Sequence, residues 1–203
     1  QNGGYTGMTP ADFKKFVLDI AEKNGFDKDR IFLGGDHLGP LTFAGKNKDE
    51  AMADAEELIR CYVDAGFTKI HIDTSMKVKS DDPDVRLSDE IIARRGARLV
   101  KVAEETYKEL LVKEPGAIPP VYIIGSEVPI PGGAVGSEDN GVQVTKVEDF
   151  KSTVAAFEKA FADAGLGTDV WDRVIGVVVQ PGVEEKDSGC TEYERENGKD
   201  LMA

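Results

Sequence analysis

The chain has 203 residues, 40% hydrophobic and 31% charged, with a formal net charge of −13. That length supports one sizeable core or two small domains, and the composition is that of an ordinary globular protein of the cytoplasm. The charge argues against a nucleic-acid surface, no apolar run nears the roughly 20 residues of a membrane helix, and no charged-then-apolar leader opens the sequence.

Thr9-Pro10-Ala11-Asp12 reads as a helix start, with Thr as N-cap, Pro in the first turn and an early acid. Phe13, Phe16, Val17, Ile20 and Ala21 then fall on one buried face, and Asn24-Gly25 closes the helix. Ile31-Phe32-Leu33 is a short apolar run and predicts a strand buried on both faces. A second helix over about 48–65 carries Ala55, Leu58, Ile59, Tyr62 and Val63 inward, ends at Gly66 and leads into a strand from Lys69 to Ile72. Ser88 caps a longer helix bearing Ile91, Ile92, Leu99, Val102 and Ala103, followed by the strand Val121 to Ile124. Thr145-Lys146-Val147-Glu148 has the form of a capping box. It opens a helix with Val147, Phe150, Val154, Phe157 and Phe161 inward, and Val174 to Val179 is the last strand. From about Glu184 the tail is acidic and polar and reads as a long loop leading into a further unit. The two cysteines, Cys61 and Cys190, have no metal-ligand spacing; Cys61 reads as a buried inert thiol, and the pair suggests a reducing compartment.

Four helix-then-strand units without hairpin signals require crossover connections, hence parallel strands at about 31–34, 69–73, 121–125 and 174–179. The expected fold class is α/β, an incomplete (β/α)8 TIM-type barrel, with exposed apolar strand edges unless something covers them. A doubly wound sheet is the alternative, but no strand is followed by G-x-G-x-x-G or a P-loop. The sequence opens not on Met but on the loop Gln1-Asn2-Gly3-Gly4-Tyr5. Residues 1–203 are therefore expected to be a single domain, the central portion of a barrel truncated at both ends.

In such barrels the active face lies at the strands' C-terminal ends. Here the strands run into Gly34-Gly35-Asp36-His37, Asp73-Thr74-Ser75, Gly125-Ser126-Glu127 and Gln180-Pro181-Gly182. Asp36 and His37 set a carboxylate beside an imidazole, suited to a divalent metal or a proton relay; the plainer reading is an N-cap Asp and a surface His. His71 and Asp73 share a strand face, Asp73 at the exit and His71 one layer deeper, where it is a satisfied core histidine or a functional one. Glu127 is a ligand, a base or a solvated loop acid, and 132–141 has the composition of a mobile active-site loop. Asp36, His37, Asp73 and Glu127 are expected to converge on one cation or sugar, with Ser75 and Gln180 holding substrate hydroxyls. No adjacent His relay marks Ser75 or Ser126 as a nucleophile.

Five segments, taken together, resemble one family: Gly3-Gly4-Tyr5-Thr6-Gly7-Met8-Thr9-Pro10, Leu33-Gly34-Gly35-Asp36-His37-Leu38-Gly39-Pro40, Lys69-Ile70-His71-Ile72-Asp73-Thr74-Ser75-Met76, Gly125-Ser126-Glu127-Val128-Pro129-Ile130-Pro131-Gly132-Gly133 and Val179-Gln180-Pro181-Gly182-Val183-Glu184. That family is the Z-type (GatZ/KbaZ-like) subunit of class II D-tagatose-1,6-bisphosphate aldolase. The resemblance implies carbohydrate metabolism, in galactitol and tagatose catabolism. It also implies an accessory, non-catalytic subunit that stabilises a catalytic aldolase partner within an oligomer. Its alternative implication is a metal-dependent epimerase or aldolase-like enzyme acting on ketohexoses such as tagatose or fructose 6-phosphate. The further likeness to catalytic class II aldolases implies a divalent metal, zinc or manganese, and a sugar phosphate. Asp36 and Glu127 would then be the catalytic proton-movers, and His37, Asp73 and Glu127 the metal ligands. The sequence departs from those enzymes in holding only two histidines, and none at Gln180-Pro181-Gly182. A three-His zinc site therefore cannot be assembled from this chain, whereas a mixed His and carboxylate site can. Leu41-Thr42-Phe43 and Glu185 are two smaller departures.

Overall fold

The computed structural model describes residues 6–125, 144–186 and 189–203. Helix α1 (Pro10–Lys23) starts as expected, with Thr9 and Asp12 capping each other reciprocally and Pro10 in the first turn. Strand β1 (Gly34–Leu38) is followed by α2 (Lys48–Asp64), capped by Asn47, and by β2 (Lys69–Ile72). Ser88 caps α3 (Asp89–Lys113), which leads to β3 (Val121–Ile124). Then come α4 (Val147–Asp163), the short α5 (Thr168–Trp171) and β4 (Val174–Val177). Strands β5 (Glu184–Lys186) and β6 (Gly189–Thr191) and the single turn α6 (Arg195–Gly198) complete the chain.

The first four strands form one sheet in the order β1-β2-β3-β4, all pairs parallel. Ile70, Ile72, Tyr122 and Ile124 are fully buried in one cluster with Met52 and Ile59 of α2, Leu99 and Val100 of α3, and Phe157 and Phe161 of α4. One face of the sheet is thus sealed by helices, which leaves the alternate residues, His71 among them, to the other face. Consecutive parallel strands with helices packed against one face make a partial TIM-type fold. A buried polar clamp ties its layers together. Arg173 donates to both carboxylate oxygens of Glu104, at 2.8 and 2.7 Å, and to the Pro120 carbonyl, while the Tyr122 hydroxyl donates to Glu104. No helix of the described residues is long and apolar enough to cross a membrane.

Four expectations need correction. Strand β1 begins where the apolar run ends, and Phe32 is 82% exposed rather than buried. Pairing with Lys69 and Ile70 starts at the two glycines, because the register of β2 outweighs local β propensity. The apolar face of α1 is mostly uncovered: Phe16 and Ile20 are exposed and only Pro10 and Ala21 are fully buried, since α2 is its one large neighbour among the described residues. Thr145 does not cap α4, whose N-cap residue is Lys146. Its hydroxyl instead accepts from the Gln180 amide at 2.8 Å, and its own amide donates to the Gln180 carbonyl at 2.9 Å. The tail is not an open loop, because β5 and β6 pair antiparallel as a small hairpin apart from the main sheet.

Candidate functional site

The site is built by an irregularity in β1. Gly35 pairs with Ile70 and Leu38 with Ile72, so Asp36 and His37 together stand opposite the single residue His71. Side chains of a regular strand alternate, and neighbours such as Asp36 and His37 would leave on opposite faces. A bulge suspends that alternation and re-aims a side chain. Here it does so through His37, whose φ of 50° is the only positive value of a non-glycine among the described residues. Such strained backbone collects at binding and catalytic sites. As a result Asp36, His37 and His71 are gathered on the open face, with one ligand atom from each within 4.8 Å of the others.

The neighbouring loops hold this arrangement in place. Gly39 follows the bulge and lies so close to β2 that a methyl group built there would sit 1.6 Å from the Asp73 carbonyl oxygen. The Asp73 amide donates to Leu38 at 3.0 Å, which fastens the two strand mouths together. Gly125, at the exit of β3, adopts φ 87° and turns its carbonyl toward His71.

Asp36 carries most of the electrostatics. Its Oδ1 accepts from the Lys69 ammonium at 2.8 Å and lies 2.8 Å from His71 Nδ1. The Lys69 hydrogen bond is the largest influence on its carboxyl and, with that of His71, overcomes a modest burial cost to lower its pKa to about 2. Its Oδ2 stands 3.6 Å from His37 Nδ1, and both side chains are about half or more exposed. That gap is too long for a hydrogen bond and close to the ~3.3 Å that separates two ligands of one tetrahedral cation. The pair therefore fits a divalent metal, with Oδ2 and the His37 ring as ligands. His71 adds a third candidate donor atom to the group, while Lys69 already offsets the Asp36 charge.

The other expected residues are placed as follows. Asp73 is 5% exposed, and its carboxylate accepts from both the amide and the hydroxyl of Ser75, at 3.2 and 2.7 Å. It does not join the group of three. Ser75 is thereby occupied in bracing its own turn. Gln180 sits at the mouth of β4, where its side-chain oxygen accepts from the amides of Gly182 and Val183. Glu127 and the segment 132–141 lie outside the described residues. His71 and Lys69 are the two partners that the sequence reading did not choose. Strand alternation had put His71 on the open face, but its meeting with both Asp36 and His37 depends on the bulge, and no residue pattern announces one.

Comparison with known proteins places this geometry among relatives. The family model described as D-tagatose-1,6-bisphosphate aldolase subunit GatZ/KbaZ-like matches residues 1–203. Among solved structures the chain is similar to the crystal structure of a probable tagatose 6 phosphate kinase from Sinorhizobium meliloti 1021, at 42% identity and a TM-score of 0.80. That likeness covers 99% of this chain and 45% of the other, so the chain spans less than half the length of that relative.

Proposed function

The chain belongs to the GatZ/KbaZ-like family of D-tagatose-1,6-bisphosphate aldolase subunits, and from that premise we propose that it serves tagatose and galactitol catabolism in the cytoplasm as an accessory subunit, binding and stabilising a catalytic aldolase partner within an oligomer. The observation that carries this reading is the family match over all of residues 1–203. The solved relative supports the substrate class, since its description also names a tagatose phosphate.

A second reading is favoured by the strained mouth of β1: a metal-dependent epimerase or aldolase-like enzyme acting on a ketohexose 6-phosphate. An idle surface has little reason to keep a non-glycine residue at φ 50°, a cost of about 1–3 kcal/mol. His37 and Asp36 would hold zinc or manganese together with Glu127, with Asp73 close behind at the β2 exit. The bound cation would polarise the sugar carbonyl. A carboxyl held near 2 is ionised at every physiological pH, so Asp36 suits the work of a ligand better than that of an acid. Proton transfer on this reading falls to Glu127, while Ser75 and Gln180 brace the turns at the mouths of their strands.

Turnover assays separate the two. The whole protein, alone, is incubated with tagatose 6-phosphate and fructose 6-phosphate, with and without Zn²⁺ or Mn²⁺. Metal-dependent turnover without a partner removes the purely accessory role. Inactivity alone, joined to a longer-lived aldolase on mixing with the catalytic subunit, removes the enzyme.

A further inference from the structure

Residues 73–88 join Ile72 of β2 to Asp89 of α3 without a helix or strand of their own. Structureless connections longer than about 12–15 residues are uncommon in compact domains and are usually functional. Both ends of this one are fixed. The Asp73 amide donates to the Leu38 carbonyl and Ser75 is braced on Asp73, while Ser88 caps α3. The middle is held by polar contacts to other elements. The Lys79 amide donates to the Lys46 carbonyl at 3.1 Å, and the Lys48 amide donates to the Ser80 hydroxyl at 2.8 Å. Asp81 accepts from Arg95 at 2.6 Å and from the Val78 amide at 2.8 Å. Val78 and Leu87 are buried, but neither belongs to the core cluster of the sheet and its helices. Such satellite contacts are typical beneath long loops, and they can part without disturbing the main core.

Arg95 makes the closed position costly. It is 6% exposed, and its Nε and Nη1 donate to no group among the described residues. A buried donor of this kind loses its hydration without a compensating bond. Parting Arg95 from Asp81 gives up one charged hydrogen bond but lets water reach both nitrogens and the carboxylate. The closed and open positions are therefore closer in free energy than the folded and unfolded sheet. We propose that residues 76–87 form a strap, latched by Arg95 and Asp81, that opens as a unit while the sheet stays folded. The strap joins the connection after β1 to the start of α3, so its opening changes approach to the mouths of β1 and β2. It does so whichever functional reading holds.

Native-state hydrogen exchange of the whole protein, over a range of urea below its unfolding transition, tests this directly. The Val78, Lys79 and Asp81 amides, all hydrogen-bonded in the closed strap, report its opening. They should be at least about 100-fold less protected than the amides of β2 and β3, and nearly insensitive to urea, because a local opening exposes little surface. Ile124→Val separates the two processes, since Ile124 is fully buried in β3 and away from the strap. It should lower protection of the sheet about 2–10-fold and leave that of the strap unchanged. Asp81→Leu removes the latch and should speed exchange at Lys79, whose own acceptor is untouched, by at least about 100-fold. Equal protection and equal urea dependence for strap and sheet would overturn the proposal. So would a strap that loses protection along with the sheet in Ile124→Val, or a folded Asp81→Leu protein with parental exchange at Lys79. The parent and Ile124→Val decide the matter even if Asp81→Leu does not fold.

Discussion

His37 holds its left-handed conformation without the freedom of glycine, and the fold stabilises it against that tendency. His37→Gly removes a side-chain clash worth about 1–2 kcal/mol and adds about 0.5–1 kcal/mol of unfolded-chain entropy. The expected outcome is a protein more stable by about 0.5–1 kcal/mol that has lost cation binding, read by urea unfolding and metal titration on the same sample. Asp36 gives a pH signature. Its carboxyl is held at about 2, below the ordinary 3.8, chiefly by Lys69. A depressed folded-state value stabilises the protein above pH 3.8, and the contribution disappears as pH falls toward 2. Urea midpoints of the parent and Asp36→Asn should therefore differ at pH 7 and converge between about pH 4 and pH 2. The difference should be small, because the Asp36 side chain is 61% exposed. Midpoints that stay equally far apart down to pH 2 would show that the stabilisation is not electrostatic. The residue types of this site were legible in the sequence, but their mutual geometry was not, because it arises from one irregular pairing.

Helices were easier to read than strands, for a physical reason. Thr9, Asn47 and Ser88 cap their helices through contacts local in sequence. The start of β1 depends on a partner more than thirty residues away, and Thr145 leaves its expected cap for Gln180 in the next unit. One long-range contact of this kind holds the segment between β2 and α3. Arg95 of α3 is buried and donates to Asp81 at 2.6 Å. Burial is the largest influence on the Asp81 carboxyl and pushes it up, but the hydrogen bonds from Arg95 and the Val78 amide outweigh it and hold the pKa below its usual value. Removing the acid leaves a buried cation without its counter-charge, so Asp81→Leu should cost about 3–5 kcal/mol. Arg95→Met with Asp81→Leu should recover most of that loss, because an apolar pair of similar volume replaces a buried ion pair with little penalty. A double variant no more stable than Asp81→Leu would mean that the pair matters for more than its charge balance.

Among the described residues the edge strands of the sheet are β1 and β4, and Ile175 of β4 is 63% exposed. The parallel order and the helix-covered face followed from the repeated helix-then-strand pattern. What joins the chemistry to this architecture is the claim that a cation and a ketohexose phosphate meet beside His37. Calorimetric titration of tagatose 6-phosphate into the whole protein, with and without Zn²⁺ and in both parent and His37→Ala, addresses that claim. The sugar phosphate should bind the parent at least about tenfold more tightly with Zn²⁺, a coupling of ~1.4 kcal/mol, and His37→Ala should show no such gain. Equal affinity with and without Zn²⁺ in the parent, or an undiminished gain in a folded His37→Ala, would contradict it.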